Sequence, residues 1–362
     1  MKIGILTYHR ANNYGAMLQA YALRQVMLHY SQDVSFVAYN PQYIKEDYAT
    51  VVHRKSFASC GKRKKLRYPI YLMHYCYMRI KEWMRNRAFE TFASKYLPEG
   101  RLDAKYDLVV YGSDQIWCKQ HVKSCPGYDA FYFGDNNLDA RRSIAYAASM
   151  GSIETQPEDY DFIKARIDEL DAVSVREQSL KEFLSQLTDR EIAVSIDPVL
   201  LLTREQWNGL IPSKRLIKEK YVLCYNILED SDVDRYAMAY SQKHHMRLIH
   251  LVPRIYDRAY TEDDYITAGP LEFMRLVRDA EYVVSSSFHG VAFSIVYQKQ
   301  FIAKLHHKKE RVKSLLNQLG ISDGLVDALE SEKENMISYT NVEERLENMR
   351  NQSNQYLKAN TK

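Results

Sequence analysis

The chain has 362 residues, of which 46% are hydrophobic and 27% charged, and its formal net charge is +4. This length predicts two domains with ample cores, and the composition is that of an ordinary soluble globular protein. The small net charge gives no indication of nucleic-acid binding, so we expect no nucleic-acid partner.

The cysteines and the first residues of the chain indicate the cellular compartment in which we expect the protein. The five cysteines include no pair at CxxC spacing, which argues against a disulfide framework and against a structural zinc site. The first residues are apolar and turn polar by His9, which predicts a β-strand rather than a signal peptide. No run approaches the ~20 apolar residues of a membrane helix. We therefore expect a cytoplasmic protein.

The chain opens in the order strand, loop, helix, strand. The apolar patterns predict strands at residues 3–7 and 34–39, with a helix at 16–30 between them. Ligands of such sheets collect at the carboxyl ends of strands, which makes Asn13 and Gly15 candidate ligand contacts. The same two residues are equally typical of a tight turn, where Asn and Gly are used for their backbone freedom.

Residues 41–100 interrupt this alternation and form a basic helical insertion. A cluster of Lys and Arg at 54–67 precedes a predicted helix at 69–96 that is rich in aromatic residues. Such a region can lie on an anionic membrane surface or bind a lipid-diphosphate acceptor. The alternative is a solvated loop followed by an ordinary packed helix.

Further strands are predicted at residues 107–111, 143–148, 172–175 and 192–196. Ser113 and Asp114 lie in a small polar turn after the first of these, which is an active-site position in an open sheet. Arg176 follows the strand at 172–175, where its guanidinium group can bind a phosphate or carboxylate. It can equally pair with Glu177 or Asp171 and have no chemical role.

The second half repeats the alternation. Strands are predicted at residues 221–226, 247–252, 282–284 and 301–305, with helices at 232–244, 271–280 and 309–319. Strands that alternate with helices predict parallel sheets. The expected fold is α/β with two facing Rossmann-like domains. We divide the chain into 1–209, which would hold the acceptor, 210–330, which would hold the donor, and a polar tail at 331–362 that forms a surface helix.

The stretch 282–297 is the strongest candidate site. A buried strand passes through a serine-rich turn into an apolar helix that begins near Gly290. Ser286 and Ser287 would lie where free backbone N–H groups and the helix dipole favour an anion. His289 would place a proton donor beside that anion. The plainer interpretation is a Ser-capped helix whose histidine is only a structural hydrogen-bonding group.

Five segments together resemble the polysaccharide pyruvyl transferase family. They are Asn-Tyr-Gly at 13–15, Tyr-Gly-Ser-Asp-Gln-Ile-Trp at 111–117, Ser-Val-Arg-Glu at 174–177, Asp-Pro-Val-Leu-Leu at 197–201 and Ser-Ser-Phe-His-Gly at 286–290. The resemblance implies a glycosyltransferase-B arrangement of the two domains. It also implies transfer of pyruvate from phosphoenolpyruvate to two sugar hydroxyls, forming a cyclic ketal in a bacterial capsule, exopolysaccharide or cell-wall polymer.

The resemblance also implies roles for individual residues. His289 would be the catalytic acid or base and Arg176 would bind the donor anion. The family pattern has an arginine where this chain has Ser287. Either Arg254 or Arg311 supplies that charge, or this branch uses a different donor or acceptor. The residues expected to bind substrate are Asn13, Gly15, Ser113, Asp114, Arg254, Ser286, Ser287 and Arg311.

Several alternatives remain open at this point. One is a nucleotide-sugar glycosyltransferase on the same architecture, and another is a non-catalytic glycan-binding member of the family. The acceptor can be a lipid-linked oligosaccharide or a finished polymer, and the former would suit peripheral contact with the inner face of the plasma membrane. We expect no metal, because arginines can supply the cations, and no cofactor beyond phosphoenolpyruvate as the donor substrate.

Overall fold

A computed structural model describes residues 1–47, 68–122, 124–255, 260–305, 309–329, 334 and 336–361. The basic cluster at residues 54–67 lies outside the described residues. Among those that are described, no helix is both long enough and apolar enough to cross a membrane.

The first half of the chain forms a seven-stranded parallel sheet. The strands of this half are β1 (Lys2–Leu6), β2 (Asp33–Val37), β3 (Glu99–Gly100), β4 (Lys105–Tyr106), β5 (Leu108–Gly112), β6 (Gln120–Val122), β7 (Cys125–Gly127), β8 (Asp139–Ala140), β9 (Ser143–Ala148), β10 (Ala172–Val175) and β11 (Ile192–Val194). The sheet order is β11-β10-β9-β5-β1-β2-β3. The order reverses between β1 and β5, which is where ligands bind in open α/β sheets.

The helices of the first half lie between these strands. They are α1 (Tyr14–Met27), α2 (Gln42–Asp47), α3 (Tyr68–Tyr96), α4 (Tyr160–Glu169), α5 (Gln178–Leu184), α6 (Pro198–Leu201) and α7 (Arg204–Asn208). Helix α1 buries Leu18, Ala22 and Val26 along one side, as the helical spacing of these residues predicts. Asn13 caps α1, because its side chain accepts a hydrogen bond from the Ala16 N–H.

The second half forms a five-stranded parallel sheet. Its strands are β12 (Tyr221–Tyr225), β13 (Arg247–Leu251), β14 (Asp264–Tyr265), β15 (Tyr282–Ser285) and β16 (Gln300–Ala303), in the order β14-β13-β12-β15-β16. Its helices are α8 (Ser231–Lys243), α9 (Pro270–Asp279), α10 (Phe288–Val296) and α11 (Glu310–Leu319). The order of this sheet reverses between β12 and β15.

Buried polar and aromatic contacts join the two halves. The Tyr14 hydroxyl donates to the carbonyl of Ala268 across 3.1 Å, and the Tyr14 ring stacks on Phe273. Arg85 of α3 donates to the carbonyls of Val252 and Pro253. The insertion that carries α3 therefore also fixes the second sheet against the first.

The chain ends in a helix that returns to the first sheet, α12 (Val342–Asn360). The Ser353 hydroxyl accepts a hydrogen bond from the N–H of Ile196, and the Tyr356 hydroxyl donates to the carbonyl of Ala145. Leu346 and Leu357 are buried. The tail is thus helical, as its sequence predicts, but one face of it packs into the first half rather than lying wholly on the surface.

Two parallel sheets that face each other across a cleft confirm the predicted α/β fold with a glycosyltransferase-B-like arrangement. The predicted long strands and helices are present, with ends that differ by a few residues. Sequence patterning missed the short pairs β4–β8 and β6–β7 because strands of two or three residues show no alternation. The change of sheet falls between Val194 and Tyr221, and the division at residue 210 stays a prediction.

Candidate active site

A cleft of about 490 Å³ lies between the two sheets. Its walls come from the carboxyl ends of strands in both halves. The first half contributes Tyr8, Asn12, Asn13, Tyr14, Tyr43, Ile44, Arg85, Asp114, Gln115, Cys118 and Gln120, and the second half contributes Tyr225, Ile227, Leu228, Pro253, Arg254, Ser286, Ser287, Phe288, His289, Leu305 and Arg311. Both reversal points of the sheets therefore open into one cleft, which is the expected place for a ligand.

His289 lies in the first turn of α10, at the inner wall of the cleft. Only 7% of the residue is exposed, and its Nε2 atom has no hydrogen-bond partner among the described residues. The nearest charged group is the carboxylate of Asp197, whose Oδ2 lies 3.6 Å from Nε2. This distance is too long for a direct hydrogen bond. The imidazole is thus buried beside a carboxylate with a ring nitrogen left available.

Asp197 connects His289 to Arg176. Its Oδ2 also lies 2.8 Å from Nη2 of Arg176, while its Oδ1 accepts the N–H of Val199 and caps α6. Burial raises the pKa of Asp197, but Arg176 and His289 outweigh burial and hold that pKa at about 2. The carboxylate is therefore charged at neutral pH and is shared by the two residues that the sequence predicts to be catalytic.

Asp197 is not among the site residues that the sequence predicts. It begins one of the five segments that resemble the family, Asp-Pro-Val-Leu-Leu, near the end of the first half. A sequence signal for Asp197 does exist. It is an aspartate that follows a predicted strand and immediately precedes a proline at the first position of a helix. This position places a carboxylate at the edge of the sheet where ligands bind.

Arg176 has a second buried contact that corrects one prediction. Its Nη2 donates to the Ser113 hydroxyl at 2.6 Å, and Ser113 is completely buried. Ser113 therefore positions Arg176 and does not line the cleft, contrary to its predicted substrate contact. Among the described ion pairs, Arg176 is paired with Asp197 and not with Glu177 or Asp171.

Arg311 and Arg176 both lie close to the Phe288 ring. Their guanidinium carbons are 5.3 Å and 5.1 Å from its centroid, distances at which cations are attracted to an aromatic ring. Arg311 is only 8% exposed. Burial lowers the pKa of Arg311, and the neighbouring Arg176 charge lowers it further. Because arginine keeps its proton even so, two positive groups are held close together beneath the cleft.

Several N–H groups of these arginines lack partners. Within the described part of the chain, no acceptor is found for Nε and Nη1 of Arg176 or for Nε of Arg311. Buried charged donors without acceptors are costly, so an anionic ligand that supplies acceptors here is favoured. The first-turn N–H groups of α10 point to the same conclusion, because helix N-termini attract anions.

A second cavity, of about 480 Å³, lies behind Phe288. Phe288 and Arg311 line both cavities, whereas Arg176 and Asp197 line only the second. The cluster of Arg176, Asp197, His289 and Arg311 therefore stands at the boundary between the two cavities. An anion bound to it can be approached from the cleft over Phe288.

Gly15 contacts His289 directly. A Cβ atom on Gly15 would lie 1.9 Å from Nδ1 of His289, so only glycine allows the α1 backbone to approach the imidazole. Gly15 is therefore needed for close packing rather than as a ligand contact. Asn13 lines the cleft and also caps α1, so it serves the turn while its side chain faces the cleft.

Replacing Gly15 with alanine is expected to lower turnover by at least about 100-fold, since the new methyl group would push His289 from its place beside Asp197. Alanine is otherwise the better helix former at this position, by roughly 1 kcal/mol. Gly209→Ala is the matched control, because its Cβ would meet its nearest neighbour at 3.4 Å. Equal turnover of both variants, measured as phosphate release, would show that the His289 position is unimportant.

Asp114 lies on the cleft wall in a strained turn. Ser113 and Asp114 both have positive φ, 45° and 63°, a conformation that is costly for residues other than glycine and is enriched at functional sites. The Asp114 carboxylate caps its own turn by accepting the N–H of Gln115.

The backbone N–H groups of Ser286 and Ser287 are already used within the chain. Ser286 N–H donates to the Tyr225 carbonyl, and Ser287 N–H donates to the Ser285 hydroxyl. The Ser286 hydroxyl meets Asn226 and the N–H of Ile227. These two N–H groups are therefore occupied, while both serines line the cleft, and their contact with substrate stays a prediction. Within the described part of the chain, the donors left for an anion would be the N–H groups in the first turn of α10, which have no partner within the helix.

Arg254 also lines the cleft, from the loop after β13. Arg254 and Arg311 are the two residues that could replace the family arginine missing at Ser287. Of these two, Arg311 is buried, and its charge interacts with that of Arg176. Arg311 is thus the better placed to act with His289, while Arg254 is only half-buried.

Comparison with known proteins bears on family and fold. A model of the family described as polysaccharide pyruvyl transferase matches residues 13–307. No curated protein sequence matches the chain.

Solved structures that resemble this chain do so at low sequence identity and low TM-score. A putative UDP-N-acetylglucosamine 2-epimerase from Listeria monocytogenes is 10% identical, with 98% of this chain and 90% of that chain covered and a TM-score of 0.46. The UDP-N-acetylglucosamine 2-epimerase from Rickettsia bellii is 9% identical, with 99% and 97% covered and a TM-score of 0.43. Spinosyn forosaminyltransferase is 11% identical, with 100% and 92% covered and a TM-score of 0.41.

Proposed function

The chain belongs to the polysaccharide pyruvyl transferase family, and we propose that it transfers pyruvate from phosphoenolpyruvate to two hydroxyls of a sugar, forming a cyclic ketal. The observation that carries this proposal is the pair of buried guanidinium groups with unpartnered N–H donors beside His289. A donor with both a phosphate and a carboxylate supplies the acceptors that these groups lack.

The donor would bind at the boundary between the two cavities. The Nη2 atom of Arg176 contacts Asp197 and Ser113. These contacts fix the plane of the guanidinium group and therefore the direction of its remaining N–H groups. Arg311, which also adjoins the Phe288 ring, would bind the second anionic group. The N-terminal turn of α10 would add backbone donors. Together these groups would offset part of the negative charge of the phosphate and the carboxylate.

His289 is the proposed acid for the enol carbon. Its Nε2 is unpartnered and lies on the side of Asp197, the same carboxylate that holds Arg176. A donor held by Arg176 and Arg311 therefore lies on the Nε2 side of the ring. Asp197 would stabilise positive charge on the imidazole through its own negative charge and hold the ring in place.

The chemistry then balances in two additions. His289 transfers a proton to the methylene carbon of phosphoenolpyruvate, and the first sugar hydroxyl adds to the neighbouring carbon and returns its proton to His289. The phosphate leaves with the electrons of its C–O bond as the second hydroxyl adds to the same carbon, and the proton of that hydroxyl goes to the leaving phosphate. One phosphate is released for each ketal, and the former methylene group becomes a methyl group.

The acceptor would lie in the outer cleft, on the wall from the first half. Tyr8, Tyr43 and Asp114 face this space, and aromatic faces with polar tips suit sugars. The Tyr43 hydroxyl donates to Asp129 at 2.9 Å, which fixes its ring. Asn13 and Asp114 would bind and orient the reacting hydroxyls.

The test is incubation of the purified protein with phosphoenolpyruvate and galactose- or mannose-type acceptors. We expect phosphate release that depends on the acceptor, and a product whose mass is that of the acceptor ketal. Turnover of a UDP- or GDP-sugar with no consumption of phosphoenolpyruvate would instead support the nucleotide-sugar alternative and refute this proposal.

An anionic membrane surface is the proposed source of a lipid-linked acceptor. Helix α3 exposes a row of large apolar side chains at spacings of three or four residues, with exposed fractions between 42% and 74%: Ile70, Met73, Tyr77, Ile80, Trp83 and Met84. Lys81 and Arg87 lie over the Tyr77 and Trp83 rings. Apolar residues flanked by cations are typical of helices that lie on anionic bilayers, and the basic cluster at 54–67 directly precedes this helix.

Binding to vesicles tests this surface. We expect the protein to sediment with phosphatidylglycerol vesicles more than with phosphatidylcholine vesicles, and Ile80→Glu to weaken binding by about tenfold or more because one large apolar side chain no longer enters the bilayer. Met238→Glu, on the half-exposed side of α8, is the control and should bind normally. A wild-type protein that stays in the supernatant with both vesicles would refute a membrane-bound acceptor site.

A further inference from the structure

Cys224, Asp234 and His250 form a cluster outside the proposed catalytic residues. Cys224 of β12 and His250 of β13 are direct partners in the parallel register, so their side chains leave the same face of the sheet. Helix α8 covers this face and brings Asp234 to them. Three neighbouring elements thus deliver a thiol, a carboxylate and an imidazole to one point.

The distances suit ligands of a single ion. Cys224 Sγ lies 3.4 Å from Asp234 Oδ1, and His250 Nδ1 lies 4.0 Å from the same oxygen. One ligand atom from each of the three residues lies within 4.8 Å of the others. Ligand atoms about 2.0–2.3 Å from a tetrahedral ion are separated by roughly 3.3–3.8 Å, so small side-chain shifts would close the site.

The cluster adjoins a small cavity of about 50 Å³, which exceeds the volume that a single water molecule or ion needs. Cys224 is buried, whereas Asp234 and His250 are partly exposed. An ion could therefore enter from the side of the carboxylate and the imidazole. Glu229 lines the same cavity and has a positive φ of 53°.

We propose that Cys224, Asp234 and His250 bind a zinc ion, with Glu229 or a water molecule as the fourth ligand. The donor set decides the metal, because a thiolate with an imidazole favours zinc over magnesium or calcium, which prefer oxygen ligands. Coordination would deprotonate the thiol. This proposal does not depend on the proposed reaction.

The position of the ion indicates its role. Cys224 immediately precedes the loop that carries Ile227 and Leu228, and His250 precedes the loop that carries Pro253 and Arg254. All four loop residues line the cleft. A zinc ion that joins β12 to β13 would therefore hold the second-half wall of the cleft at the point where its two loops begin.

This inference departs from the expectation drawn from the cysteines. Cysteine spacing gave no zinc pattern because only one ligand is a cysteine, and the other two lie on the following helix and strand. Register and helix packing bring them together, and neither is visible as a short motif.

Cobalt substitution tests the site directly. The full chain, stripped of metal with a chelator and titrated with Co²⁺, should bind one ion and show the near-ultraviolet absorption of a cobalt–thiolate bond. Cys224→Ser should abolish this absorption, and Cys76→Ser, at an exposed position, should keep it. Zinc should displace the cobalt, and bound zinc should raise the melting temperature of the wild type.

Asp234→Asn provides a second variant at a partly exposed position, where misfolding is less of a risk than at Cys224. Loss of a residue that only hydrogen-bonds a metal ligand typically weakens metal binding by about 10- to 100-fold. Loss of the direct ligand Asp234 should weaken zinc binding by more than this, and the circular dichroism spectrum should not change. The proposal is overturned if the wild type shows no cobalt–thiolate absorption, if Cys224→Ser retains it, or if Asp234→Asn binds zinc as tightly as the wild type.

Discussion

Replacing His289 with alanine is expected to lower kcat for phosphate release from phosphoenolpyruvate by about 100- to 10,000-fold, the usual contribution of a general acid. The reason is that His289 is a buried titratable side chain in the cluster with Arg176, Asp197 and Arg311. Its Nε2 atom has no hydrogen-bond partner among the described residues. Because the alanine variant keeps Arg176 and Arg311, the affinity for phosphoenolpyruvate should change little. Steady-state kinetics with a saturating acceptor, together with a binding titration of the donor, measure the two effects separately.

His289→Gln is the conservative comparison. Glutamine retains a polar group that can face Asp197 but cannot release a proton at neutral pH. It should therefore be as inactive as alanine while the melting temperature stays near that of the wild type. If the glutamine variant kept most of the wild-type kcat, the ring would serve only for packing and hydrogen bonding, which is the plainer interpretation of the sequence.

Replacing Arg176 with alanine is expected to produce the largest combined effect. It removes the cation that we propose binds the donor, and it leaves Asp197 charged without its Arg176 partner in the interior, since the Asp197 side chain is completely buried. Breaking a buried ion pair by removing one partner typically costs about 3–5 kcal/mol of unfolding free energy. Loss of the charged hydrogen bonds to the donor should weaken its binding by about 30-fold or more. Chemical denaturation and donor titration measure the two losses.

The double variant Arg176→Ala with Asp197→Asn separates these roles. Asparagine can still cap α6 through its side-chain oxygen, and position 197 no longer carries a buried charge that has lost its partner. Most of the lost stability should return, but donor binding should stay weak. Recovery of donor binding together with stability would mean that Arg176 acts only through Asp197 and does not contact the donor.

Much of the fold was predictable because its signals are local. The buried strands Ser143–Ala148 and Ala172–Val175 have the predicted bounds, since both are short runs of small and β-branched residues. Their order in the sheet follows from the rule that consecutive parallel strands are joined by right-handed crossovers. The short β14 escaped detection because two residues carry no periodicity.

The candidate site was predictable in its parts but not in its pairings. The motifs pointed to His289 and Arg176, yet their shared carboxylate, Asp197, lies on a third segment. The roles of Ser113 and Gly15 depend on which side chain lies opposite each of them. These contacts join residues that are far apart in the chain. Local sequence patterns do not show which distant side chains will be in contact.

The position of Ser287 shows the same limit. From the sequence, the family arginine is missing and two cations could replace it. The fold distinguishes them, because α11 brings the buried Arg311 to the same Phe288 ring that Arg176 adjoins, whereas Arg254 lies in the loop after β13. Two arginines from different halves of the chain thus supply the positive charge near His289.

A crystal structure of the phosphoenolpyruvate complex tests the central claim most directly. We expect the phosphate and carboxylate to accept hydrogen bonds from the unpartnered nitrogens of Arg176 and Arg311, with the methylene carbon facing Nε2 of His289. A donor bound elsewhere in the cleft, with its methylene carbon out of reach of His289 and neither arginine in contact, would contradict the account.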